Sequence, residues 1–285
     1  MSLRTRAAFT AAFASVLYVT LALIPLHANG TDGQGGFLLG GSAQNAVDPE
    51  NPANQVIKID TLSLTAPFGT VSRHLGVKIA QLDNLLEFKS YFQNRSCGGG
   101  SPRMQLLVDL DGDGTPDGNL FAYTAPPFAG CVPNRWQYDD LTDELPRWDV
   151  SQLAAANPNF PSPANICANP AFATNPAVCP FQANSGYIPW LVVKTVLTTI
   201  FPFHTVCSGA LVDDSGWLAP AAGIAYYDVI SIGTSTWTQW SDTAGRGFAR
   251  GCSEPDHGDD SHVGDDNHDH KVDDGDNDWR GRHNH

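Results

Sequence analysis

Along most of the chain, apolar side chains recur at every second position or in short β-branched runs, and turn residues interrupt them about every ten positions. The stretch "NLLEFKSYFQN" is the clearest case. Leu86, Phe88 and Phe92 fall on one side and Glu87, Lys89 and Tyr91 on the other, the pattern of a half-buried strand. Five further stretches read as strands from their aliphatic, β-branched and aromatic content: "QVIKIDTLSL", "RMQLLVDL", "NLFAYT", "FHTVCSGALV" and "GIAYYDVISIGTSTWTQW". Only "IPWLVVKTVLTTIF" reads as a helix, with Pro189 near its first turn, and its Val and Thr content also permits a strand. Many short strands with at most one short helix predict an all-β fold, an antiparallel β-sandwich. No internal repeat is visible, which argues against a propeller or a solenoid.

The flanks do not follow this pattern. Arg4 and Arg6 precede an apolar run from Ala7 to Leu26, and small residues surround Ala28, the order of a secretory signal peptide over residues 1–28. An uncleaved anchor is the alternative, because the run approaches the roughly 20 apolar residues that span a bilayer. Residues 29–54, rich in Gly, Asn and Pro, read as an extended leader, which leaves a sandwich domain over 55–252. Within it, residues 154–186 form a long Pro- and Asn-rich excursion that Cys167 and Cys179 are expected to tie. Residues 253–285 carry eleven acidic and three basic side chains, with almost nothing apolar to bury, and read as a disordered tail.

A net charge of −14 disfavours nucleic acid and anionic membrane as partners, since both repel a polyanion. With the signal segment removed, no membrane association is expected. The six cysteines, an even number in an exported chain, imply three disulfides and a secreted or periplasmic location.

The most specific chemistry lies in "VDLDGDGTPDGNLFAY". It contains D-x-D-x-D-G-x-x-D, with Asp109, Asp111, Asp113 and Asp117 offering carboxylates and Thr115 its main-chain carbonyl. Calcium takes six to eight hard oxygens at about 2.3–2.6 Å, and Gly114 permits the sharp turn that would bring these groups together. Leu120 stands where an EF-hand carries its bidentate Glu, and the flanks alternate like strands, so the loop is not an EF-hand. It resembles the strand-loop-strand calcium loops of integrin-type propeller blades, a resemblance of about ten residues that implies the loop chemistry and not the propeller. The bland alternative is an acidic hairpin turn, yet four aspartates within nine residues repel one another unless a cation neutralises them.

The tail holds six of the nine histidines. His257, His262, His268 and His270 among carboxylates suit Zn²⁺, Ni²⁺ or Cu²⁺ near neutral pH; a merely solubilising polyanion is the alternative. Trp136, Tyr138, Trp148, Trp217, Trp237 and Trp240 sit in or beside loops and polar strands, where a flat ring can stack on a sugar. Any one of these rings also suits a core or a sheet edge.

Enzyme motifs are sparse. No G-x-S-x-G, H-E-x-x-H or Gly-rich phosphate loop is present. The stretch "VCSGALVDDSGWLAPAAG" superficially resembles the approach to the catalytic histidine of trypsin-like proteases, but Gly223 stands where that His belongs. Acid pairs such as Asp139 with Asp140, or Asp143 with Glu144, do not by themselves establish the separation a glycosidase needs.

Three segments together, "CGGGSPRMQLLVDLDGDG", "RWDVSQL" and "VDDSGW" followed by "GIAYYDVISIG", resemble a broad group of exported bacterial proteins. The order of elements is also similar to that of jelly-roll carbohydrate-binding modules, whose last strand often ends in a Tyr-x-Asp-hydrophobic pattern like Tyr226 to Val229. The resemblance implies a jelly-roll fold and an extracellular binding role. Cys97 opens one strand and Cys131 closes the loop after the next, so they are expected to pair, leaving Cys207 to pair with Cys252. The sequence therefore predicts an exported, non-catalytic, calcium-stabilised sandwich that binds extracellular polysaccharide or matrix. A metal-handling protein acting through its tail and a glycan-active hydrolase are the alternatives.

Overall fold

The structure, a computed structural model, describes residues 36–83, 85–98, 100–124, 131–172, 174, 187–215, 221–237, 245–246 and 252. The expected signal segment and the tail lie outside these residues, as do Trp217, Trp240, Cys179, His257, His262, His268 and His270.

Alternation builds the strands. In β5 (Leu86–Gln93), Leu86, Phe88 and Phe92 are fully buried and Glu87 and Lys89 face out; Tyr91, on the outward side, is covered by neighbouring side chains. The other predicted runs form β3 (Gln55–Asp60), β6 (Arg103–Asp109), β7 (Gly118–Tyr123), β11 (Thr205–Asp213), β12 (Ile224–Ile232) and β13 (Ser235–Trp237). Strands also arise where the pattern is short or polar: β1 (Leu38–Gly41), β2 (Gln44–Val47), β4 (Gly69–Val77), β8 (Trp136–Asp140), β9 (Trp148–Asp149), β10 (Tyr187–Ile188) and β14 (Gly245–Arg246). Because β1 and β2 belong to the sheets, the sandwich starts within the stretch expected to be an extended leader. Four-residue strands among glycines carry too little alternation to be seen in sequence.

One sheet runs β10-β9-β7-β6-β11-β4-β1-β14, the other β2-β3-β12-β5-β8 with β13 beside β12. All their strand pairs are antiparallel except β1 with β14. The partners β3·β12 and β5·β8 share one sheet, and β4·β11 and β6·β7 the other. A long hairpin rolled onto itself gives this arrangement, the jelly roll, and it leaves both inner faces apolar.

The expected helix is α2 (Trp190–Ile200), which follows Pro189 and buries Trp190, Val192, Val193, Val196 and Leu197 along one stripe. On its exposed side Thr195 and Thr198 donate hydroxyl hydrogen bonds to the carbonyls of Leu191 (2.7 Å) and Lys194 (2.8 Å), so the β-branched residues sit in a helix with their polar atoms satisfied. A shorter helix, α1 (Ser151–Ala156), packs on β7. The described part of the excursion docks through buried Phe160, Ile166 and Phe172, with Phe160 stacked on Phe201 at 5.6 Å.

A buried polar network joins the start of β6 to the end of β11 and to β12. Asp213 of "VDDSG" is fully buried and accepts from Arg95 (2.5 Å), Tyr227 (2.7 Å), Ser215 (2.7 Å) and Ser101 (3.1 Å). Beside it Arg103 pairs with Asp214 at 2.8 Å. Separately, in "RWDVSQL", Arg147 clamps Asp143 at 2.6 Å while Trp148 donates its indole N–H to the carbonyl of Leu141. Buried charges and hydroxyls of this kind persist only where each finds a partner.

Disulfides join Cys97 to Cys131 and Cys207 to Cys252 as expected, and they indicate a non-reducing compartment. The expected partner of Cys167 lies outside the described residues. Among the described residues, no helix is long and apolar enough to cross a membrane.

Candidate functional site

The acidic loop joins β6 to β7. Asp109 ends β6 with its side chain buried, and its two carboxylate oxygens accept the N–H groups of Gly112 (2.6 Å) and Gly114 (2.8 Å). Those glycines hold φ of +80° and +87°, a left-handed backbone that fits glycine best. Asp117 closes the loop by accepting from Leu110 N–H at 2.6 Å. One oxygen from each of Asp109, Asp111 and Asp117 lies within 4.8 Å of the others. Asp113 is not in that group: it caps the local turn by accepting from Thr115 N–H at 2.7 Å. Three hard oxygens at this spacing, each with a lone pair left over, suit calcium chemically.

A second site lies on the outer face of the smaller sheet, where register decides which side chains meet. Tyr226 of β12 stands opposite Tyr91 of β5, and Tyr91 opposite Trp136 of β8. Their rings form a continuous row, with centroids 6.0 Å apart for Tyr226 and Tyr91 and 5.6 Å for Tyr91 and Trp136. One step along the strands, Asp228, Lys89 and Tyr138 face the same way. Tyr138 is exposed, and its hydroxyl donates to Glu87, a bond that together with some burial pushes the phenol up to about 12.

The row borders a cleft of about 300 Å³ lined by Trp136, Tyr138, Lys89, Asp48, Asn54 and Asp228 among others. Asp48 sits in the turn after β2. One of its oxygens accepts the indole N–H of Trp136 at 3.2 Å and the N–H of Glu50 at 2.8 Å, while the other accepts from the Asn54 amide at 3.0 Å. The same amide donates to Asp228 at 3.1 Å. Burial alone would raise the Asp48 carboxyl, but the hydrogen bonds from Asn54, Glu50, Trp136 and Asn51 outweigh it and hold it below the ordinary carboxylate value. The Trp136 ring is thereby fixed before any ligand arrives.

The other predicted aromatics are placed differently. Trp148 is fully buried with its ring 4.8 Å from that of Trp190, and Trp237 is 4% exposed on β13, so neither presents a face to a ligand. Both were expected to stack on sugar; packing against α2 and β12 claims them instead. The paired acids are likewise occupied in the fold. Asp139 points inward, 3.7 Å from Arg147, and burial outweighs that partner and raises its carboxyl to about 6. Asp140 caps the turn at Thr142 at 2.8 Å.

Tyr91, Tyr226, Lys89, Asp48 and Asn54 were not singled out as site residues. The alternation in "EFKSYF" already put Lys89 and Tyr91 on one face, but only strand register brings Tyr226 and Trp136 beside them. No known protein family, curated protein or solved structure matches the chain.

Proposed function

We propose that the protein is an exported, non-catalytic binding domain that holds extracellular polysaccharide on the outer face of its smaller sheet and is stabilised by calcium at the Asp109–Asp117 loop. The observation that carries this reading is the aromatic row Tyr226–Tyr91–Trp136, which runs across three adjacent strands beside a polar cleft. The rings are inclined to one another, by 55° for Tyr91 and Trp136 and 74° for Tyr91 and Tyr226, and Tyr91 is buried, so the row backs and steadies the Trp136 indole at the cleft. An aromatic face with hydrogen-bonding groups beside it suits a pyranose ring, whose faces offer C–H groups and whose rim offers hydroxyls. The buried Asp109 carboxylate, with Asp111 and Asp117 inside the same 4.8 Å, supports the calcium part. The two disulfides, which indicate a non-reducing compartment, agree with export.

A glycan array probed with the wild type and with Trp136→Ala tests the reading. Signal on polysaccharide probes that falls at least tenfold in the variant is expected; a blank array for the wild type contradicts it.

A further inference from the structure

Asp228 is held in the cleft by an irregularity that a plain strand does not need. Between Asp228, opposite Lys89, and Ser231, opposite Glu87, β12 carries two residues where β5 has only Phe88. This is a β-bulge, a feature that re-aims side chains and is common beside binding sites. Its first residue, Val229, has φ of +48°, a left-handed conformation that is a genuine outlier for a β-branched side chain. Backbone strain of this kind persists where the surroundings enforce it, and here the Asp228 carboxylate accepts Val229 N–H at 2.8 Å and an Asn54 N–H at 3.1 Å. Asp228 itself is 9% exposed, at the edge of the space above Trp136.

Across the strand pair, Lys89 is exposed and has no ion-pair partner among the described residues. A carboxylate with lone pairs to spare and an ammonium with free protons thus stand side by side next to a fixed ring. We propose that Asp228 and Lys89 are the specificity-determining pair of this cleft, reading adjacent hydroxyls of an uncharged pyranose stacked on Trp136. The carboxylate accepts from one hydroxyl and the ammonium donates to its neighbour. A polyuronate would set its own carboxylates against Asp48 and Asp228, and a polyamine sugar would meet Lys89, so an uncharged polymer is the best match to the mixed pair. This inference rests on the polysaccharide reading above.

The test uses the full chain with a soluble neutral glucan, its O-methylated derivative, a polyuronate and a chitosan as probes. O-methylation keeps the ring faces and removes the hydroxyl donors. The expected result is binding of the neutral glucan at least tenfold tighter than of the other three. Asp228→Ala and Lys89→Met should each weaken neutral-glucan binding about tenfold, and Asp228→Ala should bind the native and methylated polymers alike. Lys89 is exposed, so Lys89→Met keeps the test valid if Asp228→Ala fails to fold. Wild-type preference for the polyuronate or chitosan, or full affinity in Lys89→Met, overturns the inference and leaves the polysaccharide reading standing. Loss of binding in Trp136→Ala but in neither pair variant does the same, whereas a wild type that binds no probe overturns both.

Discussion

Replacing Asp213 by Ala removes the acceptor at the centre of the buried network, to which four side chains and the Ser215 N–H donate. Arg95, 5% exposed, would keep its charge without the carboxylate that sits 2.5 Å away, and the hydroxyls of Tyr227, Ser215 and Ser101 would lose their acceptor. Breaking a buried ion pair costs about 3–5 kcal/mol because one charge is left uncompensated. Each stranded hydroxyl adds up to about 1 kcal/mol, although the contributions overlap. A total near 5 kcal/mol is expected, a large fraction of the roughly 5–15 kcal/mol that holds a domain together. For a domain of this size the melting temperature should fall by about 10–20 °C. Urea unfolding followed by tryptophan fluorescence measures the loss. The double variant Arg95→Met with Asp213→Leu removes both charges and should lie closer to the wild type than Asp213→Ala does, since no lone charge remains buried. A loss below about 1 kcal/mol in Asp213→Ala, or a double variant less stable than the single one, would refute the reasoning.

Three further outcomes are expected. Asp139 is held at about 6 in the fold against 3.8 when free, so the folded state keeps a proton that the unfolded chain has lost, and this group costs stability as pH rises between those values. Asp139→Asn should therefore gain on the wild type by about 2 kcal/mol from pH 4 to pH 7 in urea titrations; a difference that does not change with pH contradicts it. Calorimetry should give calcium binding near 10⁻⁴–10⁻³ M for the wild type and none for Asp111→Ala or Asp117→Ala. Equal heats in all three, or no heat in the wild type, would dismiss the calcium site. Removing the Cys97–Cys131 bridge, which closes a separation of 34 residues, should lower stability by about 4 kcal/mol in the same urea assay, and a loss under about 1 kcal/mol would show that the bridge does not constrain the unfolded chain.

What could be read from the sequence followed from local periodicity. The alternation from Leu86 to Phe92 gave β5 and its buried face, and aliphatic runs located β3, β6, β11 and β12. Strands β1 and β2 escaped because they are four residues long and embedded in Gly- and Asn-rich chain. β4 escaped because Arg73 and His74 interrupt its apolar half. The site was only half legible for a related reason. Trp136 and Tyr138 stood out as aromatics in a polar stretch, but Trp148 and Trp237 looked the same, and burial separates them only once α2 and β13 are in place. Tyr226 and Asp228 lie about 90 residues beyond Trp136, and non-local strand pairing alone brings them to one face. Of the four motif aspartates, Asp113 alone stands outside the close carboxylate group, a placement set by the turn geometry and not visible in the spacing.

The central claim is that Trp136 on the outer face of the smaller sheet holds a sugar ring. Its most direct test is the dissociation constant of a soluble neutral glucan for the wild type and for Trp136→Ala, with both proteins shown to have the same melting temperature within about 2 °C. A dissociation constant at least tenfold weaker in Trp136→Ala is predicted; an unchanged constant, with the fold intact, would contradict the account.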